Sequence, residues 1–170
     1  NLTRTLPNSL VVCYFTNSGS ESNDLALRIA RLYSNSNDSI VLSSAYHGHT
    51  ASLIDVSPYK FLGAGGKGKP HFVHVIPVPD KFRGEHKEKG KSIGQYYIQL
   101  LKDAIKKIQK RGKQLSLFII EPVMGCGGQI IIPRSFMLEA FQIVNESGGL
   151  CIVDEVQIGF GRVGTDFWGF

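Results

Sequence analysis

The sequence predicts an α/β fold whose mostly parallel sheet carries helices on both faces. Short, continuous apolar runs recur along the chain, and amphipathic stretches of helical period stand between them. Strands that are apolar throughout are buried on both sides, and their alternation with helices is the pattern of a parallel sheet. The scale agrees: 170 residues, 42% hydrophobic and 19% charged, suffice for one substantial core. The same figures exclude a disordered chain.

The elements follow in order. Residues 10–15 (Leu-Val-Val-Cys-Tyr-Phe) form a β-rich run and predict a strand. Leu25, Ile29 and Leu32 then repeat at i, i+4, i+7 and predict the buried face of a helix over 20–34. Strands are predicted at 39–43 and 72–76. Tyr97, Leu101, Ala104, Ile105 and Ile108 mark a helix over 93–111, ended by Gly112. A strand at 115–120, a helix over 135–147 and a strand at 150–153 complete the set. Gly148 and Gly149 would stop that last helix by allowing a left-handed cap. The glycine-rich stretch 63–70 reads as a loop and 79–91 as a charged excursion.

Composition removes several function classes. No apolar run approaches the roughly 18 residues of a membrane-spanning helix. The net charge is +5, and residues 60–113 hold 14 basic against 4 acidic side chains. Lys102, Lys106, Lys107, Lys110 and Lys113 fall mostly off the apolar stripe, as a solvated helix face requires. No aromatic residues interleave with them in the manner of RNA-binding surfaces, so neither nucleic acid nor membrane is expected as a partner. Cys13, Cys126 and Cys151 form no CxxC pair, which argues against a disulfide framework or a zinc site and for a reducing compartment. The chain opens at Asn1 without Met or a leader and closes on an aromatic stretch, and it is read as an internal piece of a longer protein.

Four segments can do chemistry. Residues 16–23 lie between the first predicted strand and the first helix, and Ser18 with Glu21 has the spacing of a capping box. The N–H groups of Gly19 and Ser20, with the helix dipole, could bind a phosphate, or the segment is simply a well-capped helix. Asp154, followed by Glu155, closes a buried strand, and a carboxylate there calls for a cation or a protonated ligand nitrogen. Gln157 adds a neutral hydrogen-bonding group. Glu121-Pro122 ends another apolar strand. Tyr46 beside His47 could wall a planar ring, while His47 and His49 lack a third metal ligand, so no metal is expected. Together these features ask for a planar, phosphorylated, nitrogen-bearing cofactor.

Asn17-Ser18-Gly19-Ser20-Glu21-Ser22-Asn23, Tyr46-His47-Gly48, Glu121-Pro122 and the run from Asp154 to Arg162 resemble the class-III aminotransferases, in family order and across essentially the whole chain. The resemblance implies pyridoxal 5′-phosphate as cofactor. It also implies a fold-type I enzyme, with residues 1–170 forming part of its cofactor-binding large domain and with the catalytic-lysine region and small domain absent. Gly19 and Ser20 would bind the cofactor phosphate and Tyr46 would stack on its ring, with His47 beside it. Asp154 would pair with the ring nitrogen, Val156 would pack on the opposite face and Gln157 would reach the ring hydroxyl. Glu121 would stand near the ring edge and gate the substrate.

Within the family, residues 54–61 (Ile-Asp-Val-Ser-Pro-Tyr-Lys-Phe) and 126–131 (Cys-Gly-Gly-Gln-Ile-Ile) look most like one branch. It comprises the ethanolamine-phosphate and 5-phosphohydroxy-L-lysine phospho-lyases, also named alanine–glyoxylate aminotransferase 2-like proteins. That resemblance implies elimination of phosphate to give an aldehyde, ammonia and phosphate, on a small phosphorylated amine or amino acid. The alternative is amino-group transfer from alanine or an ω-amino acid to a keto acid. Many ω-amine transaminases carry an acid where Cys126 stands, which weighs against the latter. No Lys follows Lys113, so the Schiff-base nucleophile is expected outside this chain, and the chain alone is expected to be inactive. The resemblance further implies a homodimer or higher homo-oligomer of the full-length protein, in the mitochondrion or the cytoplasm and not secreted.

Overall fold

The computed structural model describes residues 2–84, 86 and 93–170. Its centre is a four-stranded, all-parallel sheet made of β1 (Asp38–Leu42), β2 (Val73–Ile76), β3 (Leu115–Ile120) and β6 (Leu150–Val153), in the order β2-β1-β3-β6. Val41 pairs with Val75 on one side and Ile119 on the other, and Ile120 pairs with Val153. Every residue of β1 and β3 is buried, because these central strands are covered on both faces. A two-residue hairpin, β4 (Val123–Met124) with β5 (Ile130–Ile131), follows β3.

Two apolar layers sandwich the sheet. On one face α4 (Ile93–Lys110) and α5 (Arg134–Glu146) pack Tyr97, Leu101, Ile108, Phe136 and Val144 against Ile40, Leu42, Phe118 and Ile120. On the other, α1 (Gly19–Ser34), α2 (Ala51–Asp55) and α3 (Pro58–Phe61) bring Leu27, Ala30, Leu53 and Phe61 onto Val41, Val73, Leu117 and Ile119. Successive strand residues point to opposite faces, so each strand feeds both layers. The predicted lysines behave as a solvent face: Lys106, Lys107, Lys110 and Lys113 are exposed, and Lys102 reaches Glu139 at 3.9 Å. Helix α5 ends as expected, with Gly148 at φ +79° and the Gly149 N–H donating to Val144 O at 3.0 Å.

Two expectations are corrected. Residues 10–15 do not form a strand: no described strand pairs with them, and Val11, Val12, Tyr14 and Phe15 are exposed. Their apolar character records a capacity to join a ladder, and a strand also needs a neighbour to receive its hydrogen bonds. Nor is the buried face of α1 the Leu25, Ile29, Leu32 stripe. Asn23, Leu27, Ala30 and Ser34 face inward, while Ile29 is 45% and Leu32 74% exposed. The small side chains at 30 and 34 let the helix approach the sheet, and Ser34 Oγ hydrogen-bonds Ser116 Oγ at 3.0 Å. Helices α2 and α3 and the β4–β5 hairpin fall in stretches too short for periodicity to register. Part of the predicted charged excursion, residues 85 and 87–91, lies outside the described residues. Among the described residues no helix is long and apolar enough to cross a membrane.

Candidate active site

The strands β1, β3 and β6 are neighbours and parallel, so the segments leaving their carboxyl ends converge. In open α/β sheets ligands bind beyond those ends, where the strand order diverges. Here β2 lies on one side of β1, and β3 and β6 on the other. A cavity of about 440 Å³ opens at this point, lined by Ser18, Gly19, Ser20, Asn23, Tyr46, His47, Gly48, His49, Glu121, Cys126, Asp154, Val156 and Gln157. Every site residue expected from the sequence therefore borders one crevice, including Gly19 and Ser20 although no strand precedes them.

Helix α1 starts at the edge of this crevice. Ser18 is its N-cap in extended backbone conformation, and its Oγ accepts the Glu21 N–H at 3.1 Å. Glu21 reaches back one residue further than a capping box requires, accepting the Asn17 N–H at 2.7 Å. The N–H groups of Gly19 and Ser20 lack intrahelical acceptors by position, and the positive end of the helix dipole lies there. A Cβ added to Gly19 would meet the Val156 methyls at 2.6 Å, so only glycine lets the segment after β6 close over the helix start.

Asp154 follows β6 and is buried. Its Oδ2 accepts from His47 Nδ1 at 2.9 Å and from Asn23 Nδ2 at 2.8 Å, and its Oδ1 accepts the Val156 N–H at 3.1 Å. His47 is buried as well. Its backbone N–H donates to Ser57 Oγ at 3.0 Å, and its Nε2 has no hydrogen-bond partner among the described residues.

Glu121, also buried, ties two loops together: its Oε1 accepts the Tyr46 N–H at 3.2 Å and its Oε2 the Gly125 N–H at 3.0 Å. Burial pushes its pKa up, a rise that Asp154 adds to and that His47 and the two N–H donors oppose. Tyr46 meets Tyr59 edge to face, with ring centroids 6.0 Å apart, and carries Lys60 Nζ 5.4 Å from its centroid. Gln157 lies against the Gly125 backbone. Burial, and next the Glu121 charge, raise the Cys126 thiol pKa, with Lys60 opposing.

Asn23 stands in the first motif, but sequence reasoning gave it no role of its own. The available signal was a polar amide on the sheet-facing stripe of α1, in register with Leu27, Ala30 and Ser34, but the stripe itself had been assigned to the wrong side. Gly48, whose φ of +132° is open to few other residues, was noted only within its motif.

The raised Glu121 pKa has a measurable consequence. A carboxyl whose folded pKa exceeds its unfolded value near 4.5 stabilises the fold fully below that value and loses its contribution as pH rises through the folded pKa. Denaturation midpoints of the wild type should thus fall over that window, and those of Glu121→Gln should fall less. Glu155, raised chiefly by burial, keeps part of the slope in the variant. Equal slopes in both proteins would refute the assignment.

The class-III aminotransferase model matches residues 1–169. The chain belongs to the class-III aminotransferase family. Enzymes of this family depend on pyridoxal phosphate, and pyridoxal 5′-phosphate is the cofactor. The chain is 45% identical, over 99% of its length, to the alanine–glyoxylate aminotransferase 2-like protein of Drosophila melanogaster, and covers 35% of that protein. It is 40% identical, over 96% of its length, to ethanolamine-phosphate phospho-lyase homolog 1 of Caenorhabditis elegans, covering 37% of it. Among solved structures, a phospholyase from Arthrobacter in complex with phosphoethanolamine superposes with a TM-score of 0.87 at 32% identity, over 99% of this chain and 39% of that one. The chain thus has the parallel-sheet architecture of fold-type I pyridoxal-phosphate enzymes, and it spans little more than a third of the relatives' length.

The cavity suits the cofactor on its own terms. It offers helix-start amides without intrahelical acceptors for a phosphate, a buried carboxylate for a ring nitrogen, and Tyr46 and Val156 for the ring.

Proposed function

We propose that the full-length protein is a pyridoxal-phosphate-dependent phospho-lyase that removes phosphate from phosphoethanolamine or 5-phosphohydroxy-L-lysine, leaving an aldehyde and ammonia. The likeness to the Arthrobacter phospholyase over 99% of the chain carries this reading. Residues 1–170 would form part of the cofactor-binding large domain, with the Schiff-base lysine beyond Phe170, so that this segment alone does not turn over. A homodimer, placed in the mitochondrion, is part of the same proposal.

When bound, the cofactor supplies an electron sink for the carbon that bears the substrate amine. The residues of this chain prepare that sink. Gly19 and Ser20 donate their N–H groups to the cofactor phosphate. Asp154, held by three donors, would pair with the ring nitrogen and keep its proton in place. Tyr46 and Val156 hold the ring between them and exclude water from its faces. Gln157 donates to the ring hydroxyl. His47 supports Asp154 from behind, and Glu121, which fixes the backbone at Tyr46 and Gly125, borders the ring edge where substrate enters.

The full-length protein should release inorganic phosphate from one of the two candidate substrates, read by a phosphate assay. Transfer of an amino group to a keto acid with no phosphate release would instead identify an aminotransferase. Human mitochondrial alanine–glyoxylate aminotransferase 2, 37% identical to this chain, keeps that outcome in play.

A further inference from the structure

We propose that Asn23 is a positioning residue that sets the Asp154 carboxylate for the ring nitrogen and ties it to the phosphate-binding end of α1. The inference rests on the reading of Asp154 given above. One amide nitrogen makes both contacts: Asn23 Nδ2 donates to Asp154 Oδ2 at 2.8 Å and to the His47 carbonyl at 2.9 Å. Both hydrogens of the NH2 group are thereby used. The amide cannot turn over, because its oxygen would then face a carboxylate and a carbonyl, which are both acceptors. The bridge is also out of water, with Asn23 6%, His47 2% and Asp154 7% exposed.

The consequence for Asp154 follows from counting lone pairs. A carboxylate offers about four acceptor sites. Asn23 and His47 take those of Oδ2, and the Val156 N–H takes one on Oδ1. One site on Oδ1 is left for a ligand donor. Asn23 stands one helical turn beyond Gly19 and Ser20 on α1, roughly 5.4 Å along a rigid axis. A ligand that pulls on the helix start therefore acts on the acid through a single element.

The test compares pyridoxal 5′-phosphate with its 1-deaza analogue, in which carbon replaces the ring nitrogen, by measuring the affinity of each for the full-length protein. Wild type should prefer the natural cofactor, and Asn23→Leu should reduce that preference by about tenfold, the effect of one hydrogen bond to a charged group. Equal loss of affinity for both ligands would mean a merely structural role, and an unchanged ratio would mean no role; either result overturns the inference. A wild type that does not distinguish the two ligands would instead remove the reading of Asp154 itself. If Asn23→Leu does not fold, Asn23→Ser, which is smaller and polar, serves in its place, with the same ratio deciding.

Discussion

Replacing Asp154 with Ala is expected to weaken pyridoxal 5′-phosphate binding about 100-fold and to lower stability by about 3 kcal/mol or more. Two effects coincide at this position. The variant removes the carboxylate proposed to pair with a protonated ring nitrogen. It also strands three donors, Asn23 Nδ2, His47 Nδ1 and the Val156 N–H, in a buried setting where each unsatisfied group costs about 1–3 kcal/mol. Asp154→Asn separates the two effects. It keeps the shape and an acceptor oxygen and loses the charge, so stability should recover in part while affinity stays low. Denaturant titration and fluorescence titration read the two quantities, and an Ala variant that matched wild type in both would end the proposal for this residue.

Gly48→Val should be the most damaging change in the loop after β1, destabilising the fold by about 3 kcal/mol. The φ of +132° at this position is forbidding for a β-branched residue. Space is lacking too: a Cβ would lie 2.6 Å from Leu53 Cδ1, 2.7 Å from Ser20 Oγ and 3.2 Å from Ser20 Cα. Leu53 belongs to the core under α1 and Ser20 to the helix start, so relief by movement displaces one or the other. Ser20 is the less constrained, and its displacement spoils the phosphate end of the cavity. Affinity for pyridoxal 5′-phosphate should accordingly fall more than affinity for unphosphorylated pyridoxal. Equal losses for the two ligands would place the damage elsewhere.

What the sequence could reveal depended on how many neighbours a segment needs. The strands β1 and β3 were readable because burial on both faces favours apolar runs, and α4 because its six buried positions repeat cleanly from Tyr97 to Ile108; β6 was legible from its apolar residues, although at the sheet edge it is half-buried and not the buried strand expected. Helix α1 offered two stripes. The more hydrophobic one, Ile29 with Leu32, points outward, and the one that meets the sheet is built from Asn23, Leu27, Ala30 and Ser34. Close approach to a sheet selects small side chains, and hydrophobicity alone does not report that. Residues 10–15 failed for the complementary reason: strand propensity is local, and a ladder is not. At the site, Gly19, Ser20, Tyr46, His47, Glu121, Asp154, Val156 and Gln157 were found through motif order, and the structure gathers them around one cavity. Asn23 needed coordinates, since its value lies in two acceptors brought together from distant parts of the chain.

The Asn23–Asp154 contact bridges 131 positions, and this bears on biosynthesis. Loop closure on that scale carries an entropic cost that only the assembled sheet can offset. A nascent polypeptide emerging from the ribosome holds the helix start, the tyrosine and the first acid long before β6 is made. Until that strand docks, none of them can close on a vitamin, so the crevice cannot form before β6 joins the sheet.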